Sequence, residues 1–141
     1  MALMSFDAMS YRLISGDKIN NTVVGNKKIG YEFEIDYPSY RGTFLSCIEK
    51  IEVFVDNNLI NSKDIYFCVN GKELLLSELK DLFKEYWFVL DDATLRIRQD
   101  NGIPSGKHTI RVVMKHRIPY TGYFGTYKIV NSESERTLFA E

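Results

Sequence analysis

Two histidines, two cysteines and 19 carboxylates are the side chains in this 141-residue sequence suited to acid–base, nucleophilic or metal chemistry. A metal site requires several His, Cys, Asp or Glu side chains within one coordination sphere. His108 and His116 fall in "HTIRVVMKH", which alternates like a strand; at about 3.3 Å per residue they stand roughly 26 Å apart and cannot share an ion. His116 continues the inward parity of Ile110, Val112 and Met114 and is expected to be a strand-end histidine with a hydrogen-bonded ring. Cys47 and Cys68 have no CxxC or Cys/His spacing and read as small core residues. A nucleophile requires a base beside it, and no GxSxG elbow, P-loop or GxGxxG motif occurs. Any two strand-end acids can meet in space, but Asp91–Asp92 reads as a turn. The chain alone is not expected to be a self-sufficient enzyme.

Two loops carry residues suited to recognition. In "YPSYRGTFLS", Tyr40 and Arg41 precede Gly42; a guanidinium matches carboxylates and stacks on rings, and Tyr and Arg are frequent interface anchors. In "HRIPYTGYFGTYKIV", one proline and two glycines accompany Tyr120, Tyr123, Phe124 and Tyr127. The local alternative for both is a Pro/Gly turn whose rings plug the open end of a sandwich. Taken together the loops are expected to form an interface, with Tyr40, Arg41, Arg117, Tyr120, Tyr123 and Phe124 contacting a substrate or partner.

The elements that must position these loops are strands. "YEFEIDY", "IEKIEVFVD", "ATLRIRQ" and "HTIRVVMKHRI" set apolar residues on one face and charged ones on the other. Turn signals fall between them at "VGNKKIG", "PSYRG", "DNN", Asn70-Gly71, "DD" and "DNGIPSG". "LSELKDLFKEY" breaks the period of two. Its Leu76, Leu79, Leu82, Phe83 and Tyr86 predict a short helix of about two turns with Ser77 as N-cap, and "YWFVL" then returns to strand. The expected fold is all-β: an antiparallel β-sandwich of seven to eight strands with one short helix, forming a single domain over 1–141. Residues 1–10 are expected to be flexible, and 131–141 to be a mobile tail or an arm whose apolar tip docks. The outward Glu32, Glu34 and Asp36 and the outward Arg111, Lys115 and Arg117 are cross-strand partners or solvated faces.

A net charge of -1 with interspersed signs excludes a nucleic-acid footprint. Nine Tyr and nine Phe against one Trp make the chain rich in rings. A chain of this length buries a core without needing a disulfide or metal. No segment approaches the ~20 apolar residues that cross a bilayer. The N-terminal stretch lacks the basic region and long apolar run of a signal peptide. A soluble, cytoplasmic protein is expected.

The stretches "YRGTFLSCIEKIEVFVDN", "FCVNGKELLLSEL" and "WFVLDDATLRIRQDNGIPSGKHTIRVVMKHRIPY" resemble the small, or β, subunit of bacterial C-glycoside deglycosidases, over roughly residues 29–121. The shared features are the Tyr40-Arg41-Gly42 turn with Leu45 and Ser46, the Asn70-Gly71 turn, Trp87, Ala93-Thr94-Leu95, the Gly102 to His108 loop, and Arg117 running to Tyr120. The resemblance implies a β-sandwich packed on a large TIM-barrel α subunit in a hetero-oligomer, with a divalent metal, typically Mn²⁺, on that partner and none on this chain. It implies as substrates polyphenol C-glucosides, such as those of flavonoids, already oxidised at the sugar 3-position. Two rival readings remain at this stage: a carbohydrate-binding sandwich, and a purely structural assembly subunit.

Overall fold

The computed structural model describes residues 13–37, 42–88, 91–118 and 128–141. In chain order the strands are β1 (Lys18–Val24), β2 (Lys27–Ile35), β3 (Thr43–Phe44), β4 (Ile48–Val55), β5 (Asn58–Leu59) and β6 (Ile65–Val69). They continue as β7 (Lys72–Leu75), β8 (Tyr86–Trp87), β9 (Ala93–Arg98), β10 (Gly106–Ile118) and β11 (Lys128–Ala140). The alternation read from the sequence sets their faces. Tyr31, Phe33 and Ile35 of β2, Ala93, Leu95 and Ile97 of β9, and Ile110, Val112 and Met114 of β10 are buried. Each such large side chain contributes about 1.5–3 kcal/mol on leaving water.

Nine strands form one sheet in the order β5-β4-β10-β11-β1-β2-β9-β6-β7, and β3 pairs with β8 separately. Neighbours are antiparallel except at the β1–β11 seam, where Lys18↔Phe139 and Ile19↔Ala140 pair in parallel. Val53 and Val112 from one side of that seam share an apolar core with Phe33, Phe67 and Leu95 from the other. The sheet is therefore curled so that its inner faces meet. The fold is all-β, as expected. Among the described residues no helix is long and apolar enough to cross a membrane.

Turn chemistry fixes the registers. Asn70 and Gly71 both have positive φ, 55° and 75°, the geometry that joins Val69 to Lys72 in the β6–β7 hairpin. Pairing of β4 with β10 slips by one residue between Lys115↔Lys50 and His116↔Ile48. The extra residue, Glu49, forms a bulge that lets both Ile48 and Ile51 face inward.

Three sequence expectations are corrected. The predicted helix is a 3-10 segment, Leu76–Asp81, and Ser77 lies inside it rather than capping it. Its first free backbone N–H, on Leu75, is taken by the Glu78 carboxylate at 2.9 Å. So short a helix nucleates poorly, and Tyr86 must be extended to pair with Phe44. Of "YWFVL", Tyr86 and Trp87 are strand, and 89–90 lie outside the described residues. Residues 131–140 belong to β11 and pair with β10 rather than forming a mobile tail; of the apolar tip, Leu138 is buried and Phe139 is exposed. Residues 1–10 lie outside the described residues.

Candidate partner-contact site

The fold gathers the bases of both predicted recognition loops at one end of the curled sheet. Loop 38–41 leaves from Tyr37 and returns at Gly42; loop 119–127 leaves at the end of β10 and returns at the start of β11. The Tyr37 ring lies 4.9 Å, edge-on, from the His116 ring and 5.1 Å from Trp87. Trp87 pairs with Thr43 across the small ladder, meets the Phe67 ring edge-on at 5.3 Å and donates its indole N–H to the Asp91 carbonyl at 2.8 Å. Tyr40, Arg41, Tyr120, Tyr123, Phe124 and Tyr127 lie outside the described residues.

Arg117 is described, and its guanidinium is engaged within the chain. It donates to the Ser46 carbonyl at 2.8 Å and lies 3.8 Å from the Glu49 carboxylate. It thus ties β10 to the 3-10 turn Leu45–Cys47. Several other outward charges are paired as well: Arg96 with Glu32 and Glu73, Lys115 with Glu49, and Arg111 with Glu133.

His116 faces inward and is fully buried. Neither ring nitrogen has a hydrogen-bond partner among the described residues, which corrects the expectation of a hydrogen-bonded ring. Burial pushes its pKa down to about 4, so the ring is neutral at physiological pH and serves as a packing element under Tyr37. Thr43 Oγ1 is likewise buried and unpartnered among the described residues.

The small ladder turns three rings outward. Thr43 and Trp87 point in, so Phe44, Tyr86 and Phe88 point out; Phe44 and Phe88 are 40% and 57% exposed. Tyr86 meets both edge-on, with centroids at 5.0 and 4.8 Å, and Asn70 donates to the Tyr86 carbonyl at 2.7 Å. Gly42 is required here, because a Cβ would stand 2.3 Å from the Trp87 carbonyl oxygen. A fixed, exposed cluster of rings is the kind of feature that anchors interfaces. Sequence reasoning missed Phe44 and Phe88, although alternation around Thr43 and Trp87 places both outside.

Among the described residues no three His, Cys, Asp or Glu side chains are grouped to hold a metal. Cys47 is buried, and both cysteines are free. Burial raises the Cys68 pKa, which leaves it a poor nucleophile. Glu34 is raised first by burial and then by the charge and hydrogen bond of Asp92. This exposed acid pair lacks a third ligand.

A family model, the C-glycoside deglycosidase beta subunit, matches residues 9–120. The chain belongs to that family. This beta subunit is 32% identical over 104 residues to the C-glycoside deglycosidase beta subunit of Eubacterium cellulosolvens, covering 73% of this chain and 71% of that protein. It is 36% identical over 91 residues to the 3'-dehydrocarminate deglycosidase beta subunit of a Microbacterium species, covering 64% and 68%. A third relative, the C-glycoside deglycosidase beta subunit of Microbacterium trichothecenolyticum, is 30% identical over 87 residues. A beta subunit is one component of a heteromeric complex. The family match includes loop 38–41 and the small ladder, reaches Tyr120, and leaves β11 outside it.

Proposed function

We propose that this chain is the supporting, non-catalytic subunit of a heteromeric C-glycoside deglycosidase and that it docks on a large TIM-barrel α subunit through its loop-bearing end. The observation that carries the docking surface is the exposed Phe44–Tyr86–Phe88 cluster beside the bases of both recognition loops. Tyr40, Arg41, Tyr120, Tyr123 and Phe124 extend that surface toward the partner's active-site mouth, where they wall the aglycone site or brace the barrel's loops.

The substrates are flavonoid-like C-glucosides carrying a ketone at the sugar C3. A C–C glycosidic bond has no oxygen leaving group to protonate, so ordinary hydrolysis is closed. The ketone acidifies the proton on C2; a base removes it, the freed electron pair forms a C1=C2 double bond conjugated with the ketone, and the aryl carbon leaves C1 with its bond pair and takes up a proton. A divalent metal on the large subunit, Mn²⁺ by family resemblance, would supply Lewis-acid polarisation of the ketone. The described residues of this chain do not form a ligand set for it, and the base and metal ligands are assigned to the partner.

Copurification of the two subunits, set beside a titration of this chain alone with C-glucosides and glycans, tests the reading. Tight association with the large subunit and negligible binding by the isolated chain are expected. Glycoside binding by the isolated chain without association would instead identify a carbohydrate-binding sandwich.

A further inference from the structure

We propose that His108 is a proton-operated clasp that ties the turn after β4 and the loop before β10 to the base of β10, at the end of that strand away from the docking surface. Its Nδ1 lies 2.7 Å from Asp56 Oδ2 and its Nε2 lies 2.7 Å from the Pro104 carbonyl oxygen. Both neighbours are acceptors. A neutral imidazole has one N–H and would leave a lone pair facing one of them, so both contacts are hydrogen bonds only when the ring is the doubly protonated cation.

The parts joined are themselves fixed on the same residues. Asp56 accepts from the Thr109 N–H at 2.9 Å, and its own N–H donates to the Thr109 carbonyl at 2.9 Å. Asp56 and Asn57 hold positive φ, 50° and 68°, without a glycine, a conformation that needs support from its surroundings. On the loop, Ile103 is bound by the Asn21 side chain through its N–H at 2.8 Å and its carbonyl at 3.3 Å. The clasp therefore links β4, on one side of the β1–β11 seam, to the loop leaving β9 on the other.

The groups around the ring set its response to pH. Asp56 comes from the turn, and Leu138 pairs with His108 across β11. Tyr31 reaches in from β2, its hydroxyl raised to about 12 by burial and then by the Asp56 charge; Lys107 and Thr109 flank His108 on its own strand. Burial opposes the cation, but the Asp56 and Pro104 bonds and the Asp56 charge outweigh it and raise the pKa of His108. The same His108 bond, working against burial, lowers Asp56. The clasp is closed between these limits. It opens as pH rises through the raised value of His108, and as pH falls through the lowered value of Asp56.

Nitrogen NMR of the full-length chain should show His108 doubly protonated at about pH 6.5, the ordinary histidine pKa, and titrating above it. Hydrogen exchange in 56–59 and 101–106, corrected for intrinsic rates and referenced to β9, should rise roughly tenfold above that pKa, the loss of one bond. The His108→Gln variant should show the fast exchange at every pH. Asp56→Asn, which keeps an acceptor but removes the charge, should bring the His108 pKa down. A neutral His108 ring near pH 6.5, exchange in these segments that merely follows β9, or an unchanged His108 pKa in Asp56→Asn would overturn the proposal.

Discussion

Acid should loosen this subunit through His116. The ring is fully buried, its nitrogens have no partner among the described residues, and its neighbours in the ladders are Ile48 and Val130. Burial holds its pKa at about 4, against about 6.5 in an unfolded chain. Between those values the unfolded state binds the proton and the folded state does not. The contribution is therefore fully present above about pH 6.5 and is lost as pH falls toward 4. At about 1.4 kcal/mol per unit, the whole loss is about 3 kcal/mol, and about 2 kcal/mol is gone by about pH 5. That is a large part of a stability of about 5–15 kcal/mol. Urea unfolding of wild type and His116→Leu across this range isolates the effect, because the other titrating groups are common to both. The leucine variant should be at least as stable as wild type at about pH 7.5, since it removes two buried nitrogens that have no partner among the described residues. Its advantage should then grow by about 3 kcal/mol on going to about pH 4. A wild-type-to-variant difference that stays flat would refute the reasoning.

Four further outcomes can be measured. Gly102→Ala should cost more than 2 kcal/mol or so, because φ is +66° and a Cβ would stand 2.1 Å from Asn21 Oδ1. Gly71→Ala, with φ +75° but nothing within 4 Å, should cost only about 1 kcal/mol by the same unfolding assay. Phe44→Ser with Phe88→Ser should change the stability of the isolated chain by under about 1 kcal/mol. The pair should weaken association with the large subunit by at least about 2 kcal/mol, roughly thirtyfold, in a titration between purified subunits. Arg41→Ala or Tyr120→Ala should reduce assembly or turnover; normal values for both would remove those residues from the site.

Much of the fold is legible because β2, β4, β9 and β10 obey apolar-in, charged-out alternation. β11 is not legible, since its inward positions are Val130, Ser132, Ser134, Arg136, Leu138 and Ala140. Ser132 and Ser134 are buried polar residues, and Arg136 donates to the Ile14 and Gly16 carbonyls at 3.0 and 2.7 Å. An inner face that carries two serines and an arginine bonded to distant carbonyls reads locally as a solvated tail. The short ladder is hidden for another reason: two-residue strands give alternation nothing to start from until Thr43 and Trp87 are known to point inward, so Phe44 and Phe88 pass unnoticed while Trp87 stands out. The inward parity of His116 was readable, but its lack of partners among the described residues depends on what the other strands bring around it. Arg117 was readable as a residue of interest, while its bond to Ser46 joins residues 71 apart in sequence.

The most direct test of the account is reconstitution. Aglycone release from a 3-oxo-C-glucoside is measured with the large subunit alone, with this chain alone, and with both after copurification at a defined native mass. The account predicts a stable complex, no release by this chain, and full turnover only when both are present. Full-rate release by the large subunit alone would contradict it.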